Sequence, residues 1–360
     1  MATDGSVLEV SLPALIANWR KLCGLHPDGA VAGVVKADAY GLGAAYVAPA
    51  LYEAGCRHFF TAQYDEAMAI RALVPGAMVA VLNGTTPGTE ADYLAHDVTP
   101  VLGALAAIDR WAARARGLGR TLPVILHVDT GMHRLGLPPA ELSVLADDPG
   151  RLDGLDVLYI MTHLVSAELP DDPHNTLQLA RFAAACARLP PAPRSIANSS
   201  GIFLGPAFAS DLARPGAALY GINPTPHAPN PMQPVARLLA PVLQIRDVPA
   251  GESVGYNATW RASRPSRIAT AAIGYADGWL RAHSNRGHAH FDGAPVPLVG
   301  RVSMDLCTYD VTDHPWIVPG DRLELLGPAF GPDAAAEVAG TNGYEILTFM
   351  GMRIARVYVA

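Results

Sequence analysis

The sequence has few cysteines, very few lysines and no long apolar run. The shortage of cysteines and of apolar runs excludes several classes of protein. No run of 18 uninterrupted apolar residues is present, so a membrane span is not expected. The four cysteines contain no C-x-x-C pair, which predicts reduced thiols in a cytoplasmic protein and neither disulfides nor a zinc site. No basic segment precedes an apolar core at the start of the chain, so no secretory signal is expected.

Charge is also scarce, at 16% of the 360 residues, whereas 50% are hydrophobic. This composition argues against disorder, and the net charge of −7 argues against nucleic acid as the main partner. The length predicts about two domains. Lys21 and Lys36 are the only lysines, and the other basic residues are arginines. Since the chain uses arginine for nearly all of its basic residues, each of the two lysines is of interest wherever chemistry requires a primary amine.

Short apolar runs alternate with amphipathic stretches over the first two thirds of the chain. The runs do not alternate with polar residues, which is typical of strands buried on both faces. Three of the stretches between them, 12–25, 104–117 and 176–189, have a helical pattern. Together they predict a (β/α)8 TIM barrel, with a doubly wound open sheet as the structural alternative. The eight runs are 30–36, 58–62, 78–83, 98–103, 123–129, 157–163, 195–198 and 213–220.

The pattern changes at a proline-rich connector, NPTPHAPNPMQP at 223–234, which excludes a helix or a central strand there. Six short runs separated by turn signals follow, and they predict a mainly β second domain with a closing helix or mixed segment at 345–354. We therefore expect a barrel domain at 1–229, its first ten or so residues pairing with the second domain, and a β domain at 230–360. The six runs are 242–248, 268–273, 288–291, 296–298, 305–311 and 322–325.

Reactive side chains stand at the ends of the predicted barrel strands, where the site of such a barrel forms. They are Lys36, Asp129, Arg134, His163, Asn198, Ser199 and Arg214. A lysine in apolar surroundings has a lowered pKa and attacks carbonyl carbons, which suits a Schiff base. Its position alone fits a surface lysine at a strand end equally well.

A series of segments, met in order along nearly the whole chain, resembles the alanine racemase family. These are pyridoxal phosphate enzymes with an N-terminal barrel and a C-terminal β domain. The segments are VVKADAYGLG at 34–43, HVDTGMHRLG at 127–136, TH at 162–163, ANS at 197–199, RPGAALYG at 214–221, GESVGYNAT at 251–259, GYADG at 274–278 and GRVSMD at 300–305.

The resemblance implies two catalytic groups, Lys36 and Tyr256, on opposite faces of a pyridoxal phosphate aldimine. Lys36 would also hold the cofactor, and Arg214 would face its pyridine nitrogen, which then stays unprotonated. His163, hydrogen-bonded toward Arg214, would give Tyr256 a cationic neighbour. The remaining implied cofactor-binding residues are Tyr40, Arg134, Asn198, Ser199, Gly216 and Ala217.

The resemblance also implies a homodimer with shared sites, because in the family Tyr256 and Met304 come from the partner subunit. Arg134 and Met304 would contact the amino-acid substrate. Four residues, which alone would be ordinary surface residues, resemble the lining of the substrate entrance. They are Glu168, Tyr275, Arg281 and Arg301.

Two positions depart from the family. His127 stands where many members have a carbamylated lysine that orients the cofactor-facing arginine, so a bound anion, a nearby carboxylate or neutral His127 must hold Arg134. We hypothesise the anion. Met352 stands where some members have a phosphate-contacting tyrosine, which predicts one phosphate contact fewer. His288 and His290 alternate on a predicted hairpin strand, which is weak evidence for a metal, and no metal site is expected.

The sequence therefore predicts racemisation of alanine, supplying D-alanine for peptidoglycan. A racemase acting on serine or larger amino acids is the nearest alternative, and His127 leaves it open. A non-catalytic cofactor-binding protein would lack the Tyr256 segment. A decarboxylase on a similar architecture would need an acidic residue in place of Arg214.

Overall fold

Residues 5–359 are described by a computed structural model, and their first part alternates strands with helices. Helix α1 has the predicted bounds because the Ser11 hydroxyl accepts the N–H of Ala14 at 3.2 Å and Pro13 lies in the first turn. The elements are β1 (Val7–Ser11), α1 (Leu12–Leu25), β2 (Ala30–Val31), β3 (Gly33–Val34), α2 (Lys36–Tyr40), α3 (Ala44–Glu53), β4 (His58–Thr61), α4 (Tyr64–Arg71), β5 (Met78–Val81), α5 (Glu90–Ala95), β6 (Thr99–Leu102), α6 (Leu105–Leu118), β7 (Leu122–His127), α7 (Pro139–Asp147), β8 (Leu155–Met161), α8 (Pro173–Arg188), β9 (Arg194–Ser195) and β10 (Leu212–Ala213).

Strands β2 to β10 close into a parallel barrel. Strands β3 to β9 pair in chain order, and β2, separated from β3 by Ala32, pairs with β10. The N–H of Ala32 donates to the carbonyl of Ala213 at 2.9 Å, and the N–H of Arg214 donates to the carbonyl of Ala197 at 2.8 Å. The predicted (β/α)8 barrel is confirmed, and the open doubly wound sheet is wrong because no edge is left between the first and last strands.

The second part is rich in antiparallel strands, as predicted, and is built around the long strand β11. Strand β11 pairs with β1, β14 and β18, and β1 also pairs in parallel with β19. The elements are β11 (Ala236–Val248), β12 (Ser253–Val254), β13 (Trp260–Arg261), β14 (Ser266–Ala271), β15 (His288–Phe291), β16 (Ala294–Pro297), β17 (Cys307–Asp310), β18 (Arg322–Leu326), α9 (Pro332–Ala339), α10 (Gly343–Thr348) and β19 (Ala355–Val359).

Three details differ from the sequence prediction. The run at 213–220 is a strand only at its start, because Pro215 lacks an N–H and Ala217–Tyr220 form a 3-10 turn. The run at 195–198 is short because the Asn198 side chain accepts the N–H of Gly201 at 2.9 Å and turns the chain. Helix α9 has no counterpart in the prediction, whereas the closing segment is mixed, in agreement with one of the two predicted forms, with α10 preceding β19.

No helix within residues 5–359 is both long enough and apolar enough to cross a membrane. Over the same range, no group of three or more histidine, cysteine or acidic side chains is placed to hold a metal ion.

Candidate active site

The carboxyl ends of the barrel strands surround a cavity of about 290 Å³. Most of the side chains predicted to bind the cofactor lie in its wall, although they come from distant parts of the sequence. The predicted residues that line it are Lys36, Tyr40, His163, Asn198, Ser199, Arg214, Gly216 and Ala217.

Lys36 enters the cavity from the end of β3, and the short segment α2 that it begins is a left-handed turn, not a regular α-helix. The four residues from Ala37 to Tyr40 all have φ between 53° and 56°, and none of them is glycine. Left-handed conformations cost L-residues roughly 1–2 kcal/mol each, so surrounding contacts must hold this turn. Burial lowers the pKa of the Lys36 amine, and Arg134 lowers it further, while the Glu66 carboxylate opposes them. The amine is thereby suited to attack a carbonyl or accept a proton.

Arg214 is the most deeply buried cation of the cavity, with 5% of its surface exposed. Its guanidinium donates to the Ser195 hydroxyl and to the carbonyl oxygen of Thr162. Burial lowers the pKa of Arg214 to about 10, so the group remains protonated at neutral pH. A fixed donor therefore faces the cavity.

The two histidines of the site are neutral. Burial, followed by the charges of Arg214 and Arg134, lowers the pKa of His163 to about 3. Burial and Arg214 lower the pKa of His127 to about 4. The expected hydrogen bond between His163 and Arg214 is not formed among the described residues, where the guanidinium donates to Ser195 and Thr162. His163 is therefore not the cationic neighbour that was expected, and Arg214 itself is the cation.

Hydroxyl groups and a glycine form a cradle at one end of the cavity. The Ser199 hydroxyl accepts the N–H groups of Gly216 at 3.0 Å and Ala218 at 3.2 Å. A β-carbon on Gly216 would lie 2.2 Å from the Tyr40 hydroxyl oxygen, so only glycine fits there. Ala217 begins a 3-10 turn, and the first N–H groups of such a turn have no partner within the turn itself. Hydroxyls and backbone donors around a space that a side chain would fill suit a phosphate group.

Tyr344 also lines the cavity, and the sequence reasoning missed it. Its ring lies 6.3 Å from the Tyr40 ring, centroid to centroid, and its hydroxyl donates to Glu168 Oε1 at 2.8 Å. Met352, which was expected near the phosphate, is 99% exposed and is outside the cavity. The expectation of one phosphate contact fewer at this position stays a prediction, because Met352 does not reach the cavity and the Tyr344 hydroxyl donates to Glu168. No spacing in the sequence distinguishes this tyrosine from the others.

A separate depression of about 740 Å³ holds the residues predicted to come from a partner subunit. Tyr256 and Met304 lie there with Tyr275 and Arg281, and Tyr256 is 66% exposed. None of the four lines the cavity that contains Lys36. Arg301 directly precedes lining residues of the depression but does not line it, and Glu168 lies on the barrel side against Tyr344.

Arg134 and His127 line a second barrel cavity of about 260 Å³, which shares Leu82 with the first. The loop that carries Arg134 is held by Asp129, whose Oδ1 accepts the N–H of Gly131 at 2.9 Å and of Met132 at 3.0 Å. Burial acts to raise the pKa of Asp129, but these bonds outweigh it and lower the pKa. Within the described chain, no carboxylate forms an ion pair with Arg134, and Asp129 acts on its loop instead.

The fold and the cavity together define a class of protein. A barrel with a buried lysine, a hydroxyl cradle and a fixed guanidinium at its strand ends is an enzyme built to hold a phosphorylated carbonyl compound through its lysine.

Comparison with known proteins identifies the family. The models for the N-terminal and C-terminal domains of alanine racemase match residues 10–224 and 235–358. The alanine racemase of Acidiphilium cryptum is 57% identical over 350 residues, which is 97% of this chain and 98% of the relative. A catabolic alanine racemase of Agrobacterium fabrum is 47% identical over 355 residues, covering 98% of this chain and 92% of the relative.

The crystal structure of alanine racemase from Bartonella henselae, with covalently bound pyridoxal phosphate, superposes with a TM-score of 0.96. It is 40% identical and covers 99% of this chain and 100% of its own. The chain therefore belongs to the alanine racemase family, and the resemblance found in the sequence is confirmed.

Proposed function

We propose that the protein interconverts L- and D-alanine at a site shared between two copies of the chain. Lys36 of one copy and Tyr256 of the other act as the two acid–base groups on opposite faces of the substrate Cα. The observation that carries the proposal is the separation on one chain between the Lys36 cavity and the exposed Tyr256 depression. A homodimer follows if the depression of one copy covers the cavity of the other.

The residues present fit pyridoxal phosphate, the cofactor of this reaction. Lys36 is placed to bind it covalently, the cradle of Tyr40, Ser199, Gly216 and Ala217 fits its phosphate, and Tyr344 adds a hydroxyl nearby. When bound, the cofactor withdraws electrons from the substrate Cα and so makes its proton removable. Arg214 would meet the ring nitrogen, and its retained proton keeps that nitrogen unprotonated.

The chain's own groups determine how protons move. The lowered pKa of Lys36 increases the share of its amine that is neutral and able to accept a proton. Tyr256 needs cations nearby to act as a base, and Arg214 and Arg134 supply them once a second copy presents its tyrosine. Arg134 and Met304 are proposed to contact the substrate, and Tyr275, Arg281, Arg301 and Glu168 to line its entrance.

We also propose a biological role, a cellular location and domain boundaries for the protein. D-Alanine made in this way would supply peptidoglycan, although one relative is named a catabolic enzyme. A cytoplasmic location is supported by four cysteines that are all free thiols. The division into a barrel domain at 1–229 and a β domain at 230–360 is supported by the proline-rich connector at 223–234.

Mixing two inactive variants tests the shared site. Lys36→Ala and Tyr256→Phe are purified separately, mixed in equal amounts and allowed to exchange subunits. A hybrid dimer has one site with both bases intact, so the mixture should recover up to about a quarter of the wild-type rate, since half of the dimers are hybrid. If both bases came from one chain, no activity would return.

A further inference from the structure

The turn that follows Lys36 is anchored at its start by a carboxylate from the neighbouring strand end. Building on the proposed function, in which Lys36 is one of two bases, we propose that Glu66 is a positioning residue for that base. It acts through the backbone of Ala37 and through its charge, without contact with the reacting atoms.

The Glu66 carboxylate bridges the ends of two adjacent barrel strands. Its Oε1 accepts the N–H of Ala37 at 2.8 Å, directly after Lys36. Its Oε2 accepts the N–H groups of Ala62 at 2.7 Å and Gln63 at 3.1 Å, just beyond β4. Strands β3 and β4 are already paired, and the N–H of Val35 donates to the carbonyl of Phe60 at 2.9 Å. One side chain therefore fixes the first residue of the lysine turn against the sheet.

The turn needs this anchor because its backbone is strained. Ala37, Asp38, Ala39 and Tyr40 are all left-handed, and such conformations persist only where the surroundings impose them. The far end has its own contact, since Asp38 Oδ1 accepts the N–H of Ala44 at 2.7 Å. At the near end, the Glu66 carboxylate is the acceptor for Ala37. Without it, the turn can relax and displace the Lys36 amine.

The charge of Glu66 also acts on the amine. Burial and Arg134 lower the pKa of Lys36, the neutral His163 lies close by, and Glu66 is the carboxylate that opposes them. The Glu66→Gln substitution removes this charge but keeps a side-chain oxygen that can accept a hydrogen bond. It should therefore lower the pKa of Lys36 further. A role confined to folding would leave this titration unchanged.

Glu66→Gln and Glu66→Ala test the geometry in the holoenzyme. Exchange of the Cα proton for deuterium in D2O is followed by NMR for each alanine enantiomer. The enantiomer that still exchanges in Tyr256→Phe is the one whose proton Lys36 removes. We expect this exchange to fall about 10-fold in Glu66→Gln and about 100-fold in Glu66→Ala, with the other enantiomer within about twofold of the wild type.

Glu141 offers a matched control, because its Oε2 accepts the N–H of Leu105 at a distance of 2.7 Å. This bond does not involve the Lys36 turn. Glu141→Gln removes a carboxylate–backbone bond of the same kind and should leave both exchange rates unchanged. Equal slowing of both enantiomers by Glu66→Gln would overturn the proposal.

Chemical labelling gives a second readout that does not depend on catalysis. Lys21 and Lys36 are the only lysines, so acetylation of the cofactor-free chain can be quantified by mass spectrometry with the exposed Lys21 as internal reference. The pH midpoint for labelling Lys36 should be lower in Glu66→Gln than in the wild type or Glu141→Gln. An unchanged midpoint would overturn the proposal. Tyr256→Phe could slow exchange of both alanine enantiomers equally while the labelling midpoint of Lys36 still shifts in Glu66→Gln. In that case the two-base assignment fails and the inference about Glu66 stands.

Discussion

Arg356, on the last strand, donates two hydrogen bonds to the carbonyl oxygen of Gly41, at 3.2 Å from Nε and 3.1 Å from Nη2. The same guanidinium donates to the carbonyls of Met350, Gly351 and Ile354 at 2.7–2.9 Å. Gly41 ends the left-handed turn after Lys36 and itself has φ 82°. The C-terminal strand therefore holds the exit of this turn, while Glu66 holds its entrance.

Arg356→Lys should weaken this connection even though the charge is kept. A lysine cannot reproduce a planar set of donors to four carbonyls, and each buried carbonyl left without a partner costs about 1–3 kcal/mol. We expect a melting temperature several degrees lower and a reduced rate, measured by calorimetry and alanine turnover. Arg114→Lys on the exposed side of α6 is the control. Equal stability of the two variants would contradict the prediction.

An anion is expected beside Arg134. The neutral His127 carries no negative charge, and Asp129 is engaged by the backbone of its own loop. The adjoining cavity of about 260 Å³, lined by both Arg134 and His127, has room for an ion. Crystals soaked in bromide should give an anomalous peak next to the Arg134 guanidinium. An empty map with His127 in hydrogen-bond contact with Arg134 would show instead that the imidazole holds the arginine.

Acid should destabilise the cofactor-free protein through His127. Its pKa in the folded state is about 4, below the value of about 6.5 in an unfolded chain, so the unfolded state binds more protons between these values. The stability that neutral His127 contributes is therefore complete above pH 6.5 and is lost as the pH falls toward 4, by about 3 kcal/mol at most.

Urea unfolding at several pH values measures this loss. His127→Gln cannot titrate and should make the fall in stability between pH 6.5 and 4 less steep, with the remaining fall due to His163 and His283, whose pKa values burial also lowers. His227→Gln, in the exposed connector, is the control. A fall of the same steepness in His127→Gln and in the wild type would assign the acid sensitivity to other groups.

Much of the site could be predicted because a barrel brings its strand ends together whatever their separation in sequence. Lys36, His163 and Asn198 were expected in one place on that ground, and all three line the cavity. Helix α1 was predicted residue by residue because its cap and its apolar spacing agree.

What could not be predicted depends on tertiary contacts. Tyr344 lies on a helix of the C-terminal part that packs against the barrel mouth, so no local pattern reveals its position. The left-handed turn contains no glycine before Gly41, so its backbone gives no signal in the sequence. It exists because Glu66 and Arg356, 29 and 315 positions away from their partners, hold its two ends.

Exchange of Cα protons in D2O separates an alanine racemase from a broader one. Each base removes the proton from one enantiomer, so Tyr256→Phe should lose exchange from one alanine enantiomer and keep it from the other. Lys36→Ala should lose the absorbance of the covalently held cofactor. In the wild type, both alanine enantiomers should exchange and both serine enantiomers should exchange slowly. Comparable serine exchange would indicate a broader range and direct attention to His127. No exchange from either amino acid, with the cofactor bound, would favour a binding protein, because a protein that holds the cofactor without any working base cannot release the Cα proton.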